Sequence, residues 1–244
     1  MKSLEHPSFD KVMSFAKKII DDLPKSVVDE LFQDLERGVV QIDDEPHMFV
    51  YLYSYGKMHK AKLDCAFAHL PNLFYERTEI NIIDYGCGQA IGTMCYVDFL
   101  LRKNIRQKIK RVTLIEPSEI CLKRAALHVS KFCPDAEIIT LNKTFDELSY
   151  GDIVCEDTTS NLHILSNVLD IDFLWGNFAR LIKDSLKGHN QFVCVGPYFN
   201  LPQIDCRMDK FADFFRGNND FDKVFDKFQL NPDKPWTAHI RCFS

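Results

Sequence analysis

The chain has 244 residues, 46% apolar, 12% aromatic and 27% charged, and its 30 Lys plus Arg against 35 Asp plus Glu give a formal charge of −5. These proportions describe a soluble globular protein and exclude a collagen-like chain, a coiled coil, a disordered tail and a secreted mini-scaffold. They argue against a broadly basic nucleic-acid surface, and no apolar run approaches the ~20 residues of a bilayer span.

In chain order, the first 78 residues read as helical. Ser8 can cap a helix whose apolar positions Val12, Phe15, Ile19 and Leu23 recur at helical spacing up to Pro24. A second helix begins at Ser26, carries Val27, Val28, Leu31, Phe32 and Leu35 on one stripe, and ends before Gly38. After the loop Asp43-Asp44-Glu45-Pro46, a third and longer helix runs from about His47 to His69. From residue 79 short β-like runs alternate with helical patterns. Strands are predicted at Ile80–Asp84, Arg111–Glu116, Glu137–Leu141, Leu162–Leu165 and Gln191–Val195. Helices follow them through about Leu101, across Ile120–Val129, across Ile171–Leu186 and around Asp205–Phe215. Two last strand candidates, near Lys223–Phe228 and Trp236–Phe243, flank the turn Asn231–Pro235 and suit a hairpin at the sheet edge. Strands alternating with helices imply right-handed crossovers and a mostly parallel sheet covered on both faces.

The most informative segment is Ile82-Ile83-Asp84-Tyr85-Gly86-Cys87-Gly88-Gln89-Ala90-Ile91-Gly92-Thr93. An apolar strand turns through closely spaced glycines into a helix, at the sheet edge where ligands bind. Glycine lets the backbone approach a ligand closely, and the helix start offers unpaired N–H groups. Asp84, two residues before the first glycine, would repel a pyrophosphate but suits a ligand carrying an ammonium. Glu116, at the end of the second strand and 28 residues beyond Gly88, is placed to accept ribose hydroxyls. A ribose acid serves methyltransferases and nicotinamide enzymes alike, so it does not choose between them.

The Asp84-Tyr85-Gly86-Cys87-Gly88 run, followed by the small Ala90, resembles the first motif of the class I S-adenosylmethionine (SAM)-dependent methyltransferases. The resemblance covers about residues 79 to 244, and its first motif is the part that is specific on its own. It implies an α/β, Rossmann-like class I methyltransferase fold: a seven-stranded, mostly parallel sheet with a C-terminal antiparallel hairpin strand. Residues 1–78 would then form an N-terminal helical cap and residues 79–244 the SAM-binding domain. The implied activity is methyl transfer from SAM, leaving S-adenosylhomocysteine (SAH), to an unidentified acceptor, a small molecule or protein in preference to RNA. A catalytically silent SAM- or SAH-binding module is the alternative. A nicotinamide-dependent oxidoreductase is a third option, disfavoured by Asp84. Ribosome-associated methyltransferases with a similar helical preface carry a cysteine metal cluster that this chain lacks.

The resemblance also implies cofactor contacts from Asp84, Gly86, Cys87, Gly88, Glu116 and Pro117. Thr144 and Phe145 stand where the family places an acidic and a small residue near adenine. There Thr144 would bond the adenine edge, and Phe145 would either stack on the base or pack in the core. Ser166 and Asn167 follow the fourth strand, where the family borders the sulfonium; no Pro-Pro-Tyr follows Asn167, which disfavours methylation of a nucleobase amine.

No fixed catalytic residue is expected, because displacement at a sulfonium relies mainly on alignment and exclusion of water. The candidates are Tyr198 after the fifth strand, His163 within the fourth, and Tyr55 with His59, which share a face of the third helix at i, i+4. Each has a structural reading beside the functional one: a turn tyrosine, a hydrogen-bonded core histidine, and a helix packing on the sheet against a lid over the cofactor. Asp170 and Asp172 read as the start of the next helix. The six cations of Arg102–Arg111 read as a solvated face, spanning an extended helix end and a turn on the sheet edge opposite the cofactor. Nine dispersed cysteines without a C-x-x-C pair predict free thiols and no metal site. Residues 1–20 show no leader-like apolar stretch, so the expected location is the reducing cytoplasm, with no membrane partner.

Overall fold

The computed structural model describes residues 7–198, 202–215, 227–229 and 237–244. Helices α1 (Phe9–Asp21), α2 (Lys25–Asp34), α3 (Glu45–Ala68) and the one-turn α4 (Asn72–Tyr75) precede the first strand. Ser8 caps α1 through a bond from the Lys11 N–H, and the Phe9 N–H donates to Asp98 at 2.8 Å, tying the first turn to the domain behind it. Asp44 caps α3 through the His47 N–H, with Pro46 in its first turn, where a missing N–H costs nothing.

Then β1 (Glu79–Tyr85), α5 (Ile91–Lys103), β2 (Lys108–Ile115), α6 (Glu119–Phe132), β3 (Glu137–Leu141), β4 (Ser160–Ser166), α7 (Trp175–Ser185), β5 (His189–Gly196) and α8 (Pro202–Phe215) follow. The chain closes with β6 (Lys227–Gln229) and β7 (Thr237–Phe243). The sheet order is β3-β2-β1-β4-β5-β7-β6. The first five strands are parallel, β7 runs antiparallel beside β5, and β6 pairs antiparallel with β7 at the edge. The hairpin therefore forms as expected in kind. The part of its first strand predicted before Lys227 lies outside the described residues, as does the turn at 231–235.

Strand order reverses between β1 and β4, which opens a crevice at their carboxyl ends. Alternation along β1 sends Ile80 and Ile82 to one face and Ile83 and Tyr85 to the other. On the first face, α1, α3, α5 and α6 share one continuous core with the strands, so the N-terminal helices pack directly on the sheet domain. On the second face, α7 and α8 bring Phe178, Phe211 and Phe215 against Phe192 and Phe243.

Two predicted elements differ. Strand β2 starts at Lys108 and not Arg111, because Lys108-Ile109-Lys110 alternates exposed, buried, exposed, and both lysines reach Glu79 on β1. The basic run is thus half strand, where an extended helix end was expected. Helix α7 starts at Trp175 and not Ile171, so Asp170 and Asp172 lie in a loop rather than a first turn. The cause is packing: Phe173 turns back onto Phe145, with ring centroids 4.9 Å apart, and the Leu174 N–H bonds Asp146.

The turn into β5 depends on Gly188, at φ +66°, where an added Cβ would stand 2.3 Å from the Thr159 carbonyl and 2.5 Å from that of Glu156. Gly188→Ala is therefore expected to cost about 3 kcal/mol or more, read as a lower urea midpoint in equilibrium unfolding. No helix among the described residues is long and apolar enough to cross a membrane. The eight described cysteines are free thiols, and no group of His, Cys, Asp or Glu among the described residues could hold a metal ion.

Candidate active site

The site grows from the turn after β1. Gly86 and Gly88 take left-handed backbone angles (φ +58° and +52°), as does Ala90 at the cap of α5 (φ +63°). The Cys87 N–H bonds the Ile115 carbonyl at 3.0 Å, which fastens the turn to the end of β2. Below it Asp84 faces α5: one carboxylate oxygen accepts from the Thr93 N–H at 3.0 Å and the Thr93 hydroxyl at 2.8 Å. Burial, only partly offset by these bonds, pushes the Asp84 carboxyl up to about 7.

That shift has a pH consequence. The folded acid keeps its proton up to about pH 7, whereas its ordinary value is 3.8. The stability gained by burying it neutral is full below the ordinary value and is lost as pH rises through about 7. The wild type is expected to lose melting temperature relative to Asp84→Asn between pH 4 and about pH 8, by an amount equivalent to about 2–4 kcal/mol. Parallel curves across that range would contradict it.

Above the turn lies a cleft of about 360 Å³ at the strand-order reversal. Among the residues expected to touch cofactor, Gly86, Gly88, Glu116, Pro117, Thr144, Phe145, Ser166 and Asn167 line it. Asp84 and Cys87 do not: Asp84 sits beneath the turn as a support for α5, and the buried Cys87 thiol donates to the Gly88 carbonyl. The opposite wall is the 38–42 segment, held by the Ser118 hydroxyl bonding the Ile42 carbonyl. A larger depression, about 520 Å³, lies at the amino end of β5 among Phe74, Lys183 and Lys187, and the glycine turn contributes nothing to it.

Glu116 is half-buried on the cleft wall, and desolvation there raises its carboxyl above the usual range. One oxygen accepts the Gly88 N–H at 2.9 Å and the other the Ser118 N–H at 3.0 Å. Each carboxylate oxygen keeps a further lone pair, so the pair of oxygens can still accept two hydroxyls. Thr144 is exposed, and its hydroxyl donates to Glu147 in a capping box, which commits its proton and leaves a lone pair on the cleft wall. Phe145 lines the cleft and packs in the core, stacked on Phe178 at 4.5 Å between centroids.

A second cavity, about 170 Å³, adjoins the first and shares Tyr51, Asn167 and Ile171 with it. Tyr55 and His59 both line it, as does Lys62. Asn167, held left-handed at φ +59°, joins these groups: its amide nitrogen is 2.6 Å from His59 Nδ1, and its oxygen accepts from Lys62 Nζ at 3.2 Å. An ammonium only donates, so it fixes the orientation of the amide. His59 Nδ1 is then an acceptor, and Nε2–H donates to the Tyr51 hydroxyl 3.1 Å away. Burial, reinforced by Lys62, drives His59 down to about 3, so it stays neutral and positions its neighbours instead of exchanging protons. Burial lowers Lys62 to about 8.

His163 lies outside this group. It sits within the sheet, accepting from the Tyr85 hydroxyl and bonded to Asn190, stacked on Phe192, and lowered to about 4 by burial. It lines neither cavity and is a satisfied core histidine. Tyr198 lines neither cavity; its neighbour Pro197 borders the smaller one, and its carbonyl accepts from Thr237. Sequence reasoning missed Tyr51 and Lys62, although both continue the Tyr55–His59 stripe along α3. It also missed Gln89, whose buried amide oxygen has no partner while its nitrogen bonds the Met48 carbonyl.

No family model and no curated protein matches the chain. Solved structures do. The plantazolicin methyltransferase BpumL, in complex with SAH, superposes with a TM-score of 0.51 at 12% identity over 89% of this chain and 99% of its own. An S-adenosylmethionine-dependent methyltransferase from Clostridium acetobutylicum superposes with a TM-score of 0.51 at 10% identity over 80% of this chain and 97% of its own. The fold is the class I methyltransferase fold. In this methyltransferase fold the observed cleft occupies the carboxyl edge of β1, β2 and β4, and the N-terminal helices wall its far side through Tyr51 and the 38–42 segment.

Proposed function

We propose that the protein is a SAM-dependent methyltransferase, with SAM in the cleft above the glycine turn and the acceptor entering beside α3. Residues 1–78 act as the helical cap and residues 79–244 as the SAM-binding domain, in a cytoplasmic protein. The observation that carries the reading is Glu116, a carboxylate on the cleft wall with both oxygens anchored to backbone N–H groups and further lone pairs to offer.

Two features of the cleft fit this cofactor. A Cβ on Gly88 would meet nothing within 4 Å, so the turn leaves open space where a ligand approaches the backbone. The unpaired Gln89 oxygen supplies a buried acceptor of the kind an ammonium requires. Glu116 would hold the ribose, Phe145 the base, and Gln89 with Ser166 the amino-acid end, while Asp84 keeps the turn in shape from below. SAM supplies a methyl group on a sulfonium, and its displacement leaves a neutral thioether. The chain's part is to align the acceptor and exclude water, a task for which the 38–42 segment and Tyr51, which wall the cleft, are placed. A fixed general base is needed only for an acceptor that arrives protonated.

The activity is tested by incubating the protein with methyl-labelled SAM and fractionated cell extract. Label transferred to a discrete small-molecule or protein fraction, and lost with Glu116→Ala, is the expected result. SAH binding without transfer to any fraction would point instead to a silent SAM-binding module.

A further inference from the structure

The smaller cavity contains a charge that its surroundings leave under-compensated. Lys62 is 1% exposed on α3, and its ammonium makes one hydrogen bond, to the neutral amide of Asn167. No carboxylate among the described residues forms an ion pair with it. Asp170, at the exposed rim of the same cavity, acts on it from beyond bonding distance. A buried ammonium is tolerated when paired, and here two of its three N–H donors have no acceptor among the described residues. The walls around it are Tyr51, Tyr55, Met58 and Pro197.

We propose that this cavity is the acceptor site and that Lys62 selects a small acceptor bearing an anionic oxygen, a carboxylate or phenolate, against aromatic walls. The inference rests on the methyl-transfer reading and adds the substrate class to it. A volume of about 170 Å³ is equivalent to about five or six waters, enough for one ring with a carboxylate and too little for a folded chain. Tyr51 and Asn167 wall both this cavity and the cofactor cleft, so the two lie side by side. An anionic oxygen there attacks the methyl carbon: the C–O bond forms, the C–S bond breaks, and its electron pair stays on sulfur. The products are a neutral methyl ester or ether and a neutral thioether, and no proton moves. His59 and Asn167 are positioning residues that hold Tyr51 and the Lys62 ammonium in place.

The test uses the full chain saturated with SAH and titrated calorimetrically with acetate, benzoate, benzamide and benzylamine. Benzoate is expected to bind at least about tenfold more tightly than benzamide or benzylamine, and Lys62→Met to erase that preference with SAH affinity retained. The wild type alone gives a second readout. The groups facing Lys62 are His59, Tyr51 and Tyr55 on its own helix and Asp170 on the loop after β4. His59 is already neutral and burial holds the Tyr51 proton more tightly than usual, so benzoate affinity should fall about tenfold per pH unit above about 8 as Lys62 loses its charge. Equal binding of benzamide, benzoate binding unchanged in Lys62→Met, a flat pH profile, or no carboxylate binding at all would each overturn the proposal. Failure of the wild type to bind SAH would instead overturn the methyl-transfer reading on which it rests.

Discussion

Glu116→Ala is expected to weaken SAH binding by about 100-fold or more. The carboxylate is placed by two backbone bonds, from Gly88 at 2.9 Å and Ser118 at 3.0 Å, which hold its oxygens at the end of β2 facing the cleft. Hydrogen bonds from ribose hydroxyls to a charged acceptor are each worth about 1.5–3 kcal/mol, and losing two reaches that factor. The variant also frees the Gly88 N–H and so loosens the turn that forms the cleft floor. Calorimetry with SAH measures the loss, and circular dichroism through the melt shows that the fold persists. An affinity within about threefold of wild type would remove Glu116 from the cofactor site.

The two turn glycines should fail in different ways. A Cβ on Gly86 would stand 2.6 Å from a Val168 methyl carbon and 3.3 Å from the Phe145 ring, at φ +58°. Gly86→Ala therefore displaces the wall residue Val168 and strains the backbone, costing about 2–4 kcal/mol of stability together with cofactor binding. A Cβ on Gly88 meets no protein atom within 4 Å at φ +52°, so only the backbone term applies, about 1 kcal/mol. Gly88→Ala is then expected to melt within a few degrees of wild type while SAH affinity falls about tenfold or more, because the methyl group takes space the ligand needs. Urea unfolding and SAH calorimetry on both variants separate the cases. Equal stability losses would contradict the Val168 clash, and unchanged affinity in Gly88→Ala would show that the ligand does not approach this turn.

Much of this architecture was legible in the chain. The run from Ile82 to Thr93 names a strand, a glycine turn and a helix start, because apolar patterning and glycine spacing are local properties. The alternation of strands and helices then fixes which sheet edge carries the cleft. The residues that escaped are those whose role depends on long-range approach. Lys62 and Asn167 are 105 residues apart and meet because α3 packs on β5 and β7, which brings Lys62 beside the residue that follows β4. Lys62 reads in sequence as one more surface lysine, and only its burial marks it. Asp84 shows the converse. Its position was read correctly, but alternation along β1 turns its side chain under the turn toward Thr93 and away from the cleft wall. The start of α7 was misplaced because Ile171 and Phe173 carry a helical pattern while their side chains serve the cleft and Phe145.

The central claim is that the cleft at the ends of β1, β2 and β4 binds SAM. Isothermal calorimetry of the full chain with SAH, beside NAD as a control, tests it most directly. One SAH per chain, with affinity sharply reduced in Glu116→Ala and no heat from NAD, is the predicted result. No SAH binding, or SAH binding that Glu116→Ala leaves unchanged, would contradict it.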